Sequence, residues 1–216
     1  MEAKKYSKIQ IYLTGFGTYS GMCTSTNMSA DVVNKFWEIK SQLETEKTKI
    51  VYKNVIDPVK YAKIDSETKI LFDTMNKDTN VSDENTFTLI LHYGEHPDES
   101  MPLIMPTAYN MYYDEKKTTS LYKITGGDAP QEINTQIDVK ALEKQFDSKK
   151  LGTKVYEEKM YWWVNYLYFL TLNQYKKNQN VTSLFLWIPL IQNFTIDHHI
   201  SLFKALVEYL EKTYLQ

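Results

Sequence analysis

The 216-residue chain contains no arginine, because all 25 of its basic residues are lysines. Arginine is the residue that binds carboxylates and phosphates through two parallel hydrogen bonds, so arginine fingers and arginine phosphate clamps are excluded. A compositional preference for Lys, Asn, Ile and Tyr explains this absence more simply than a functional requirement does. The absence therefore removes one mode of recognition without identifying a function.

Cysteine is nearly absent as well. The single Cys23 excludes an internal disulfide and suits a reducing compartment. Residues 1–10 are polar and lack the apolar centre of a secretory signal, so no secretory route is indicated. These observations predict a cytoplasmic protein.

Long hydrophobic runs and an excess of charge of one sign are also missing. The longest apolar candidate, residues 161–172, contains Asn165 and is shorter than the roughly 18 residues of a membrane span. The 25 basic and 27 acidic residues leave a net charge of −2, which provides no general attraction to phosphate backbones or anionic membranes. We therefore expect no membrane span and no nucleic-acid partner.

What the chain does contain is typical of a globular domain, with 43% hydrophobic and 24% charged residues. Its length fits one domain, and no linker divides it, which predicts a single domain over residues 1–216. Aromatic residues make up 14% of the chain, including 17 tyrosines. Tyr and Trp provide rigid, half-polar contact area at buried seams and protein interfaces.

Strand-like and helix-like segments alternate along the chain. Short apolar runs predict strands, and apolar residues three or four apart predict helices. The predicted strands are 8–13, 49–56, 86–93, 154–156 and 183–188, and the predicted helices are one after residue 29, 65–75, 139–146, 158–175 and one from Asp197. This alternation predicts a three-layer α/β/α domain with a central, mostly parallel sheet.

The ends of some elements and the middle of the chain carry further signals. Ser29 or Asp31 is expected to cap the first helix and Asp197 the last. Gly94 is expected to end the third strand. Residues 95–138 hold four of the six prolines and a Gly126–Gly127 pair, so this segment is predicted to be mostly loop.

Five landmarks give the chain a resemblance to pyroglutamyl-peptidase I, a cysteine peptidase family. The first is residues 14–19, Thr-Gly-Phe-Gly-Thr-Tyr, followed by Asn27-Met28-Ser29, where the family reads Thr-Gly-Phe-Gly-Pro-Phe and Asn-Pro-Ser. The others, in the family's order, are 91–94 (Leu-His-Tyr-Gly), Asn110, 162–166 (Trp-Trp-Val-Asn-Tyr), and 185–189 (Phe-Leu-Trp-Ile-Pro) with 197–200 (Asp-His-His-Ile). The resemblance covers nearly the whole chain and implies the family's α/β fold.

The same alignment places departures on the family's catalytic residues. In the family a Cys thiolate attacks the amide after an N-terminal pyroglutamate, a His shuttles the proton and a Glu completes the site. Here the Cys position matches Val164, the His position Trp187 and the Glu position Met105. Valine has no nucleophilic atom, an indole N–H only donates and a thioether cannot charge-stabilise an imidazole. The resemblance therefore implies a chain without the family's catalysis.

Other reactive residues of the chain are candidates to replace the missing catalytic groups. Cys23 lies in the loop that lines the family's pocket, and His92 or His96 would have to serve as its base, so a rearranged hydrolase ranks last among the interpretations. His198 and His199 beside Asp197 resemble a metal motif, but adjacent side chains diverge. We expect a helix cap with two solvated histidines, no metal and no cofactor.

Phe16 and Tyr19 match the aromatic pair that surrounds the pyroglutamyl ring in the family. A surviving pocket would bind a small lactam or an N-terminus without cleaving it. Trp187 and Met105 are instead expected to fill the site, which makes a small-molecule ligand the less favoured partner.

The segment 158–175 carries aromatic residues around its whole circumference. At 100° per residue one domain is expected to bury only part of them, so the remainder is either half-exposed surface or a protein interface. The candidate interface residues are Trp162, Trp163, Tyr166, Tyr168 and Phe169.

Together these patterns favour a non-catalytic structural or docking subunit of a larger protein assembly. A pseudoenzyme that senses pyroglutamyl-type ligands is the alternative. A cytoskeletal array such as a ciliary axoneme and an organellar assembly both fit such a subunit, and the residues do not choose between them.

Overall fold

The fold is described from a computed structural model. It covers residues 5–18, 27–96, 99–114, 117–189 and 194–215. Tyr19 and Cys23 therefore lie outside the described residues. No helix in the described part of the chain is long and apolar enough to cross a membrane.

Ten strands and six helices make up the described chain. The strands are β1 (Lys8–Phe16), β2 (Thr48–Ile56), β3 (Thr86–His96), β4 (Leu103–Met105), β5 (Thr107–Tyr109), β6 (Tyr112–Asp114), β7 (Lys117–Tyr122), β8 (Glu132–Asn134), β9 (Lys154–Val155) and β10 (Val181–Pro189). The helices are α1 (Met28–Glu38), α2 (Lys40–Leu43), α3 (Tyr61–Lys77), α4 (Val139–Ser148), α5 (Trp163–Tyr175) and α6 (Ile196–Tyr214).

Six strands form the central sheet in the order β2-β1-β3-β10-β4-β9. All neighbours are parallel except β10 and β4. Nearly every residue of β1, β3 and β10 is buried, as expected for parallel strands covered on both faces. The predicted α/β class with a mostly parallel sheet and flanking helices is confirmed.

Alternate side chains of each strand supply two different layers. Residues such as Ile11, Leu89 and Leu186 face a core shared with α1, α4 and α6. Residues of the opposite parity, such as Phe16 and Phe185, face a second core shared with α5 and the start of α3. The candidate site lies in this second layer.

The predicted N-caps of the first and the last helix are both wrong. Asn27 caps α1, since its side chain accepts a hydrogen bond from the Ser29 backbone N–H at 2.9 Å. Thr195, and not Asp197, caps α6 through the N–H of His198. In each helix the observed cap lies two residues before the first predicted one, and Asn and Thr are also residues whose side chains cap helices.

The predictions for residues 95–138 and for the start of α5 need correction too. β3 continues past Gly94 to His96, and residues 95–138 contain five short strands where loop was expected. β5 pairs with β8 and β6 pairs with β7, both antiparallel. α5 begins at Trp163 and not at residue 158. Strands of three residues are too short to show a periodic pattern.

The first and last described segments lie side by side. Tyr6 forms an isolated parallel bridge with Leu215, and the Tyr6 N–H donates to the Tyr214 carbonyl at 2.8 Å. The Tyr6 hydroxyl donates to the carbonyl of Gln179 at 3.0 Å, just before β10. The first and last described segments therefore meet beside the N-terminal ends of the parallel strands.

Candidate functional site

The structure brings Met105, Val164 and Trp187 together. Met105 of β4 lies opposite Phe185 of β10, and Trp187 lies two residues farther along β10 on the same face. Val164, in the first turn of α5, packs in the same hydrophobic cluster. The exposed fractions are 1% for Met105, 9% for Val164 and 7% for Trp187. Three positions far apart in sequence thus form one buried apolar group.

Two aromatic rings contact Trp187. The His96 ring lies 4.1 Å from it and the Tyr156 ring 5.4 Å, both edge to face. The Trp187 indole N–H has no hydrogen-bond partner in the part of the chain that the structure describes. This side chain acts as a hydrophobic body, and it presents no acceptor that would take a proton from a nucleophile.

Gly94 shows how closely α5 approaches the sheet. A Cβ atom at this position would lie 2.7 Å from Phe185 Cζ and 3.1 Å from Val164 Cγ1. Only glycine therefore fits between β10 and the first turn of α5. The valine side chain occupies the space directly above the β3 backbone, so the Val164 position is packed and not open.

Phe16 belongs to the same packed group. It is 3% exposed, and its ring lies 6.3 Å from that of Phe185. The Ser29 hydroxyl holds the Phe16 backbone, because it accepts from the Phe16 N–H at 3.0 Å. Gly15 permits this contact, since a Cβ there would lie 2.7 Å from the Ser29 carbonyl oxygen. Of the predicted aromatic pair, the described member is a core residue.

His92 is held inside the protein. It is fully buried, with Nδ1 2.6 Å from the Thr14 hydroxyl and Nε2 2.9 Å from the Thr171 hydroxyl. Burial lowers the pKa of His92 to about 3. Both ring nitrogens are already engaged, which argues against His92 as the base for a relocated Cys23, a residue that lies outside the described part of the chain.

The two adjacent histidines of α6 were predicted to be solvated, and the structure shows otherwise. His199 is fully buried, not solvated, and His198 is half-buried. Burial, followed by the neighbouring His198, lowers the pKa of His199 to about 4. Neither ring nitrogen of His199 has a hydrogen-bond partner among the described residues. His199 lies one helical turn before Phe203 on the inward face of α6, which explains its burial.

No group of three or more His, Cys, Asp or Glu side chains within the described ranges is arranged to hold a metal ion.

The predicted interface divides into buried and exposed residues. Tyr168 and Phe169 are fully buried and Tyr166 is 8% exposed, so their assignment to an exposed interface is wrong. The sheet covers one side of α5, and α3 with the segments around β5 and β8 covers the other. The Tyr168 hydroxyl donates to the Met105 carbonyl at 3.0 Å. Trp162 is 39% exposed, and Trp163 is half-buried.

Around the start of α5 nine rings form a continuous group, which we term the aromatic cluster. Successive ring centroids are between 4.8 and 5.9 Å apart, which is favourable for aromatic pairs. Its members are Tyr61, Tyr109, Tyr112, Tyr113, Tyr122, Tyr161, Trp162, Trp163 and Tyr166. Trp162 and Tyr122 are its most exposed members, at 39% and 41%.

Two buried asparagines organise this region, and sequence reasoning gave neither a structural role. Asn165 accepts from the Tyr109 N–H at 2.7 Å and donates to the carbonyls of Tyr109 and Met111, each at 2.9 Å. Asn110 bonds both backbone groups of Thr125, at 2.9 and 3.0 Å. A polar residue inside an apolar helix was the available signal for Asn165, because a buried amide requires partners.

Comparison with solved structures identifies the architecture. The fold is that of the pyrrolidone carboxyl peptidases, which are pyroglutamyl-peptidase I enzymes. The enzyme from the thermophilic, keratin-degrading bacterium Fervidobacterium islandicum AW-1 superposes with a TM-score of 0.76 at 18% identity, over 95% of this chain and 99% of that one. A structure of the enzyme from the hyperthermophile Pyrococcus furiosus, described together with its Cys-free mutant, gives a TM-score of 0.73 at 17% identity, over 94% and 99% of the two chains.

At these identities the likeness shows the fold alone. No protein-family model matches the chain, and no curated protein matches it by sequence.

Proposed function

We propose that this protein is a non-catalytic relative of the pyrrolidone carboxyl peptidases that serves as a structural or docking subunit of a larger protein assembly. The observation that carries the proposal is the buried apolar group formed by Met105, Val164 and Trp187. None of these side chains supplies a nucleophile, a proton acceptor or a negative charge.

The size of the expected loss follows from dissected peptidases. Removing a whole catalytic triad costs about 10⁶ in turnover. We therefore expect no release of the fluorophore from a pyroglutamyl-coumarin substrate by the purified chain above the uncatalysed rate. An active pyrrolidone carboxyl peptidase assayed in parallel is the positive control. Cleavage by the pure protein that Cys23→Ala abolishes would overturn this part of the proposal.

Packing argues for a structural role over ligand sensing. Phe16, Val164 and Trp187 contact one hydrophobic cluster, and Gly94 leaves no gap between α5 and the sheet. We expect pyroglutamate and pyroglutamyl peptides to leave the melting temperature unchanged, because a ligand that bound the folded state would raise it. A rise that Phe16→Leu removes would instead support the ligand-sensing alternative.

The aromatic cluster supports a role in protein association. Tyrosine and tryptophan concentrate at the centres of protein interfaces, where they contribute much of the binding free energy. Asn165 fixes the strand that carries Tyr109 against α5, so the partly exposed rings are held on a rigid support. A preorganised surface of this kind loses little conformational entropy on binding.

The native mass of the tagged protein in a mild extract tests the docking role. We expect a particle that contains other proteins in fixed stoichiometry, identified by mass spectrometry of the purified fraction. Trp162→Ala is expected to weaken their recovery, whereas Val51→Ala, which alters an equally exposed apolar residue on β2, is the matched control. Migration without any other protein would contradict the subunit role.

A further inference from the structure

We draw no further inference here: the strongest candidate, the surface patch formed by Trp162 and Tyr122 of the aromatic cluster and by the β6–β7 hairpin, carries nothing beyond the proposed docking role, because nothing in the structure shows what covers it.

Discussion

His92 and His199 are both fully buried imidazoles, yet they lie in differently built regions on opposite sides of the sheet. On the α5 side, the Thr14 and Thr171 hydroxyls contact both nitrogens of His92. On the α6 side, His199 has no hydrogen-bond partner within the described part of the chain. A buried polar group with partners contributes to stability, and one without partners costs free energy.

The difference extends beyond the two histidines. The α5 side also contains Asn165, with three backbone hydrogen bonds, and the Tyr168 hydroxyl bonded to the Met105 carbonyl. These polar groups are paired, although they lie beside a hydrophobic cluster in which the Trp187 N–H has no partner among the described residues. The region thus keeps an ordered polar network beside the buried apolar group of Met105, Val164 and Trp187.

Acidification should have the largest effect, and it acts on both sides of the sheet. The pKa values of His92 and His199 lie near 3 and 4 in the folded protein, below the ordinary 6.5. Below pH 6.5 the unfolded state therefore binds more protons, so stability falls as the pH falls toward 4. We expect a loss of about 6 kcal/mol in the free energy of unfolding between pH 7 and pH 4. Urea unfolding at a series of pH values measures it.

His199→Leu is the variant that assigns this pH dependence. It should remove about half of the loss, because it leaves only His92 to take up a proton. An unchanged slope between pH 6 and pH 4 would show that His199 does not contribute to the acid sensitivity, in conflict with its burial.

Asn165→Leu is expected to lower the unfolding free energy by about 3 kcal/mol, since it leaves the three backbone groups that the amide now bonds without a partner. The amides around Tyr109 should also exchange faster with solvent. Gln174→Leu, at an exposed position of α5, should change stability by less than about 0.5 kcal/mol. Equal effects of the two substitutions would refute the positioning role of Asn165.

His92→Leu should lower the unfolding free energy by about 2 kcal/mol at pH 7, because the Thr14 hydroxyl loses its partner. Adding Thr14→Val should recover about half of that loss, since an apolar pair leaves no buried hydroxyl unpaired. Chemical denaturation of the single and double variants measures both values. Additive losses in the double variant would argue against a bonded pair.

The smallest effect has the opposite sign. His199→Leu should raise the unfolding free energy by about 1 kcal/mol at pH 7, because it removes a buried imidazole that lacks partners. The same denaturation experiment reports it. Destabilisation of the size expected for His92→Leu would mean that the two regions are built alike.

Sequence patterns predict the parts of the fold in which many residues share one environment. The central strands β1, β3 and β10 follow from their apolar runs, and α6 follows from its stripe through Phe203 and Leu210. The strands between residues 95 and 138 could not be predicted, because they are only three to six residues long. Part of this segment is held by side-chain hydrogen bonds from Asn165 to Tyr109 and from Asn110 to Thr125, which join residues far apart in the sequence.

The candidate site was predictable only in part. Resemblance placed Met105, Val164 and Trp187, and the structure brings them together. The burial of Tyr168 and Phe169 depends on strands that the sequence does not reveal. The inward position of His199 had a signal, since it extends the Phe203 stripe by one turn toward the start of α6. The partners of His92 lie 78 and 79 positions away, beyond the reach of any local pattern.

Because Tyr6 and Leu215 form a bridge, the same fold could be built from a chain whose elements follow one another in a circularly permuted order. The start of β1 and the end of α6 are already neighbours, so a short flexible linker would join them without moving either. New ends placed between Gly126 and Gly127, where the surroundings are open, would interrupt no strand or helix. A circular permutant cut there would rearrange the gene while preserving every contact around the start of α5.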